Sequence, residues 1–122
     1  MAITDRGLIM IGSFLKGDST TRPLYGVMGV ATGGFDGTKY HLGSEIPSAR
    51  KSLSWAWNGN DAVATFIILP NEANGSTINE IGISDTNSSL GSDLWTRNVS
   101  AIGDKTSDFG VTVDVRWRNR RA

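Results

Sequence analysis

The sequence predicts a mainly β, single-domain chain, a β-sandwich or open barrel with a short N-terminal helix, and three observations carry that prediction. The composition is turn-rich, with 15 Gly but only 3 Pro among 122 residues, while 39% hydrophobic residues suffice for a core. Residues 53–69 carry the signature of a β-hairpin. Residues 111–118 alternate apolar and polar side chains, the period of a half-buried strand.

The helix is expected at about residues 5–16. Thr4-Asp5 supplies an N-cap, Leu8, Ile11 and Leu15 fall at helical spacing, and Gly17 is a stop signal. A strand is the alternative there, because 8–11 is a short apolar run broken up by neighbouring glycines. The β core is expected at about 24–118. Its first strand, 24–30, contains Gly26 and Gly29, which suit a close approach by another group. Residues 31–47 read as mostly loop.

Leu53, Trp55 and Trp57 then alternate with Ser52, Ser54 and Ala56, Asn58-Gly59 supplies a turn able to take positive φ, and 62–69 is strongly apolar. Apolar residues on both faces of 62–69 make it a central strand, and Trp55 and Trp57 read as core. Two further strands are expected at 77–84 and 94–100, with a polar loop over 85–92 between them. In the last strand Val111, Val113, Val115 and Trp117 face one side and Thr112, Asp114, Arg116 and Arg118 the other. One face is core, and the other is wet or joined to a partner.

Twelve basic and twelve acidic side chains cancel, which removes the overall field that drives non-specific binding to nucleic acid or anionic lipid. The absence of cysteine excludes disulfides, thiolate nucleophiles and thiolate zinc sites. The apolar run 7–15 is too short to span a bilayer and is preceded by Asp5, so a soluble chain without membrane insertion is expected. Sequons at Asn74, Asn87 and Asn98 read as Asn- and Ser-rich loops.

No catalytic, cofactor or metal site assembles from these residues, and the chain is not expected to be an enzyme. His41 is the one histidine, too few for a Ser-His pair with its orienting group or for a zinc shell. The Gly33–Lys39 stretch lacks phosphate-loop spacing and reads as a turn. Asp85, Asn87 and Asp93 lack the calcium-loop pattern. Glu80 stands in a strand opposite Ile81 and Ile83 and is expected to form a structural ion pair with an arginine, Arg50 or Arg97. The basic tail, 116–122, holds half of the eight arginines beside Trp117. Arg and Trp are enriched at interface hot spots, so Trp95, Arg97, Arg116, Trp117, Arg118 and Arg120 form the candidate interface, with nucleic acid disfavoured for want of a wider basic field.

The segments Thr4-Asp5-Arg6-Gly7, Leu15-Lys16-Gly17, Tyr25-Gly26-Val27-Met28-Gly29, Ile78-Asn79-Glu80-Ile81-Gly82-Ile83-Ser84-Asp85, Leu94-Trp95-Thr96-Arg97 and Lys105-Thr106-Ser107-Asp108, with the alternating last strand, together form a pattern. The pattern resembles the small tail-fibre, baseplate and adaptor-type structural proteins of tailed bacterial and archaeal viruses. That resemblance implies a β-rich, non-enzymatic virion protein, a homo-oligomer whose partners are itself and other virion proteins. The chain has no collagen-like or coiled-coil shaft, so an adaptor, tail-end component or surface decoration fits better than a self-contained fibre. The alternatives are a capsid decoration or head-fibre protein and a carbohydrate-binding module, the latter using Trp95, Trp117 and Tyr40 as platforms for a host-surface glycan.

Overall fold

The computed structural model describes residues 2–46, 50–87 and 94–118. It has the expected mainly β architecture, two antiparallel sheets in a sandwich-like arrangement with one short N-terminal helix. The larger sheet has the order β1-β7-β6-β2-β3, formed by β1 (Ala2–Ile3), β7 (Leu94–Asp104), β6 (Thr77–Ser84), β2 (Tyr25–Gly29) and β3 (Lys51–Ser52). The smaller sheet, β4-β5-β8, joins β4 (Ser54–Asn58), β5 (Asp61–Ile68) and β8 (Val111–Trp117).

Helix α1 spans Asp5–Lys16, as its caps require. The Thr4 hydroxyl accepts the Gly7 N–H at 3.1 Å and donates to the Leu94 carbonyl at 2.6 Å, so the cap also ties the helix to β7. Gly17 ends the helix in the left-handed region at φ 82°. Gly7 has to be glycine because a Cβ there would lie 2.5 Å from the Trp95 carbonyl oxygen. The helical spacing is met, but the buried side differs from expectation: Met10 and Ile11 pack on the core, whereas Leu8 and Leu15 stay exposed.

The core lies between the sheets. Met28, Ile81 and Ile83 from the larger sheet meet Ala64, Phe66, Ile68, Val113 and Val115 from the smaller one. Period-two alternation on each strand accounts for this. β5 is central in its sheet, as expected, but its second face stays partly exposed among the described residues, with Ile67 55% exposed. The β4–β5 hairpin pairs Asn58 with Asp61, so the turn is centred on Gly59-Asn60 instead of Asn58-Gly59, with the positive φ at Gly59.

β7 runs past the expected end at Ser100 to Asp104, because its register on β6 shifts between Ile78 and Glu80. A second shift, between Ile83 and Ser84, leaves Trp95 as the extra residue on β7. Near that end the Lys105 ammonium is buried, donating to the Pro70 carbonyl, Asn74 Oδ1 and the Thr106 carbonyl at 2.7–3.1 Å. Three acceptors match the three donors of an ammonium, so the Lys-Thr-Ser-Asp segment acts as a staple between two loops.

Candidate assembly surfaces

In the last strand the side chains take the alternating directions that the sequence predicts. Val113 and Val115 are buried and Trp117 packs against the core at its margin, while Thr112, Asp114 and Arg116 point outwards. Alongside β8 runs a groove of about 500 Å³ whose lining includes Ile3, Asn98, Val115, Arg116, Trp117 and Arg118. Arg116 reaches Asp61 at 3.2 Å on the outer face, and Thr65 donates to Asp114 at 2.6 Å. Such exposed pairs contribute little to stability and leave the side chains available to a partner. Arg120 lies outside the described residues.

Two other members of the candidate interface are in the wrong place for it. Trp95 is 4% exposed, turned into the core at the β7 bulge, where its indole N–H donates to Asp85 at 2.8 Å. Arg97 is also buried, and it has a structural partner. Burial inside the monomer removes both from any outward-facing surface.

Arg97 is the counter-ion of Glu80: Arg97 Nε donates to Glu80 Oε1 at 3.0 Å, with both side chains shielded from solvent. Arg50, the other expected partner, instead pairs with Glu45 at 2.9 Å and hydrogen-bonds Ser84 and the Thr86 carbonyl. The reason is register. Glu80 points to the outer face of the larger sheet opposite Gly29, and the neighbouring β7 strand carries Arg97 on that same face, across from Gly82.

This buried pair organises the segment 31–46. Glu80 accepts the backbone N–H groups of Ala31, Gly43 and Ser44 at 2.8–3.0 Å, while the Arg97 guanidinium donates to the carbonyls of Gly33 and Gly34 at 3.0 and 3.1 Å. Both ends of the segment are thereby held against the sheet, over a small second core of Val27, Leu42 and Leu94. Burial by itself would raise the Glu80 carboxyl; the N–H groups of Ser44 and Gly43, Arg97 and the Ala31 N–H outweigh it and hold the group below its ordinary value. Gly29 leaves room for the arrangement, since a Cβ there would sit 2.4 Å from Glu80 Oε2 and 2.5 Å from the Ser44 carbonyl oxygen.

The surface that residue-by-residue reading missed is the outer side of α1. Leu15 is 78% exposed and Ile9 63%, with Leu8 and Phe14 similarly bare. A signal was present: the contiguous run Leu8-Ile9-Met10-Ile11 must place apolar groups on more than one side of a helix. Trp57, read as core, is 75% exposed near the turn end of the β4–β5 hairpin, on the outermost strand of the smaller sheet.

The remaining chemical groups have structural uses. Asp85 accepts from both Arg6 and Trp95 at 2.8 Å, tying α1 to the bulge. Asp93, its proposed companion in a calcium loop, lies outside the described residues. No cluster of three or more metal-ligating side chains occurs among the described residues. Asp36 accepts from the Thr38 hydroxyl and N–H, closing the turn expected within Gly33–Lys39. Exposed His41 contacts the Leu42 carbonyl through Nδ1. Of the sequons, Asn74 and Asn87 are in loops, but Asn98 lies in β7 and accepts the Ala2 N–H. No helix among the described residues is long and apolar enough to cross a membrane. Comparison with protein-family models, curated proteins and solved structures gives no match to this chain.

Proposed function

We propose that this chain is a virion structural protein, a tail-end component of the baseplate, fibre or adaptor type that works by self-assembly and protein–protein contact. The observation that carries the reading is the two-sided apolar character of α1, which packs Met10 and Ile11 inwards and presents Leu8, Ile9 and Leu15 to solvent. Exposed apolar side chains gathered on one short helix are the kind of surface that marks a contact with a partner. Covering each exposed side chain would contribute at most roughly 1.5–3 kcal/mol, a driving force that favours a neighbouring subunit. The sequence pattern from Thr4 to the alternating last strand supplies the viral part of the proposal.

Quantitative mass spectrometry of purified virus particles, normalised to the major capsid protein, tests it. A few to a few dozen copies per particle are expected; hundreds would make the chain a capsid decoration or head-fibre protein, and none would end the virion reading. A second reading, glycan binding, is favoured by exposed Trp57 beside the polar turn at Asn58 and Asn60, since an open indole face can stack on a sugar ring. The platform would then be Trp57, because Trp95 is buried. Silence of the folded protein on a glycan array would remove this reading.

A further inference from the structure

We infer that β8 is a dimerisation strand, through which two copies of this chain join edge to edge and antiparallel about a two-fold axis at Val115. The inference deepens the self-assembly reading above and rests on it for biological context. Each three-stranded sheet would become half of a continuous six-stranded one.

β8 pairs with β5 along one side and is the terminal strand of its sheet among the described residues. Its other side therefore offers a row of backbone N–H and C=O groups, a template for strand addition. The groove beside it brings Ile3 and Asn98 near Val115 and Trp117, so the opening between the two sheets lies along this same edge.

The side chains select the partner and the register. Across a two-fold axis perpendicular to the sheet each face continues onto the same face, so inward residues must oppose inward residues and the allowed registers differ by steps of two. An axis at Asp114 sets that carboxylate against its own copy, and an axis at Arg116 does the same to the guanidinium. With the axis at Trp117, Arg116 opposes the partner's Arg118; at Val113 no opposite charges meet. Only the axis at Val115 places Asp114 opposite the partner's Arg116, twice by symmetry, with no like charges directly opposed.

The same register serves the inward face. Val115 opposes the partner's Val115 and Val113 opposes the partner's Trp117, apolar pairings of the β-branched and aromatic kind that strands favour. Thr112 then lies opposite the partner's Arg118. Existing contacts need not be surrendered, since a carboxylate accepts several hydrogen bonds and a guanidinium has five donors: Asp114 keeps Thr65 and Arg116 keeps Asp61. Self-complementarity of this kind is what a two-fold interface requires.

Charge exchange tests the register directly. By sedimentation velocity the wild-type chain is expected to be a dimer, Asp114→Arg and Arg116→Asp are each expected to weaken dimerisation by about tenfold or more, and the double variant to restore it. Both side chains are on the outer face, so all three variants should keep the wild-type far-ultraviolet circular dichroism. Concentration-dependent amide protection across Val111–Trp117, absent from Ser54–Asn58, provides a readout that needs no substitution. A monomeric wild type, unchanged single variants, an unrescued but folded double variant, or protection at β4 instead of β8 would overturn the inference. These outcomes are separate from particle copy number: a wild-type monomer found in virions would sink the strand-pairing register alone, and a dimer missing from virions would sink the virion reading alone.

Discussion

The outer faces of the two sheets present the same kind of strand chemistry and opposite outcomes. On the larger sheet Glu80 and Arg97 point away from the inter-sheet core, yet both are buried, because the segment 31–46 lies over them and takes its hydrogen bonds from them. On the smaller sheet Asp114 and Arg116 also point away from the core, and nothing among the described residues covers them. A charged residue at an outward strand position therefore says nothing by itself about exposure. What separates the two cases is whether a loop supplies backbone donors and acceptors enough to replace water.

The largest expected break in this comparison is Glu80→Ala. It removes one partner of a buried ion pair and the acceptor for three loop N–H groups, and should cost about 3 kcal/mol, near the low end for such a loss because Gly33 and Gly34 still hold Arg97. Urea denaturation measures the cost, and hydrogen exchange should show faster exchange at Ala31, Gly43 and Ser44. Unchanged protection at those amides would mean that the loop is held by its apolar contacts instead.

A smaller effect is expected from acid. The folded-state pKa of Glu80 lies below its ordinary value of 4.5, so the unfolded chain takes up the proton first as the pH falls. The carboxylate's contribution is complete above that ordinary value and is lost progressively as the pH drops through it and on through the lowered folded value. The stability difference between wild type and Glu80→Gln should accordingly narrow below pH 4.5, and a difference that stays constant into acid would exclude an ionised Glu80 as its source.

The smallest effect belongs to the uncovered face. Ile67→Thr replaces a half-exposed side chain on β5 with another β-branched residue and should change stability by no more than about 0.5 kcal/mol. A loss comparable with that of Glu80→Ala would show by thermal or urea unfolding that this face is covered in solution.

Local rules were readable where short-range physics decides. The helix limits follow from Thr4 and Gly17, since a hydroxyl cap and a left-handed glycine act within one turn. The hairpin and the last strand follow from alternation, which fixes side-chain direction before any packing occurs. The outward direction of Glu80 was legible on the same basis. Its counter-ion was not, because the choice between Arg50 and Arg97 depends on which strand lies next to β6.

Trp95 shows the limit most clearly. Simple alternation does not cross a bulge, and one extra residue on β7 turns a candidate surface aromatic into a core side chain bonded to Asp85. Trp57 failed in the opposite sense: it shares the parity of Trp55, which packs on the core, yet it is exposed. Sequence alone determined the β class, the capped helix, the strand faces and the exclusion of cysteine chemistry, all of which depend on residue type and near neighbours. The tertiary structure decided which charges are buried, which aromatics are exposed and which strand ends its sheet among the described residues, because each depends on strand order and on where the segment 31–46 comes to rest.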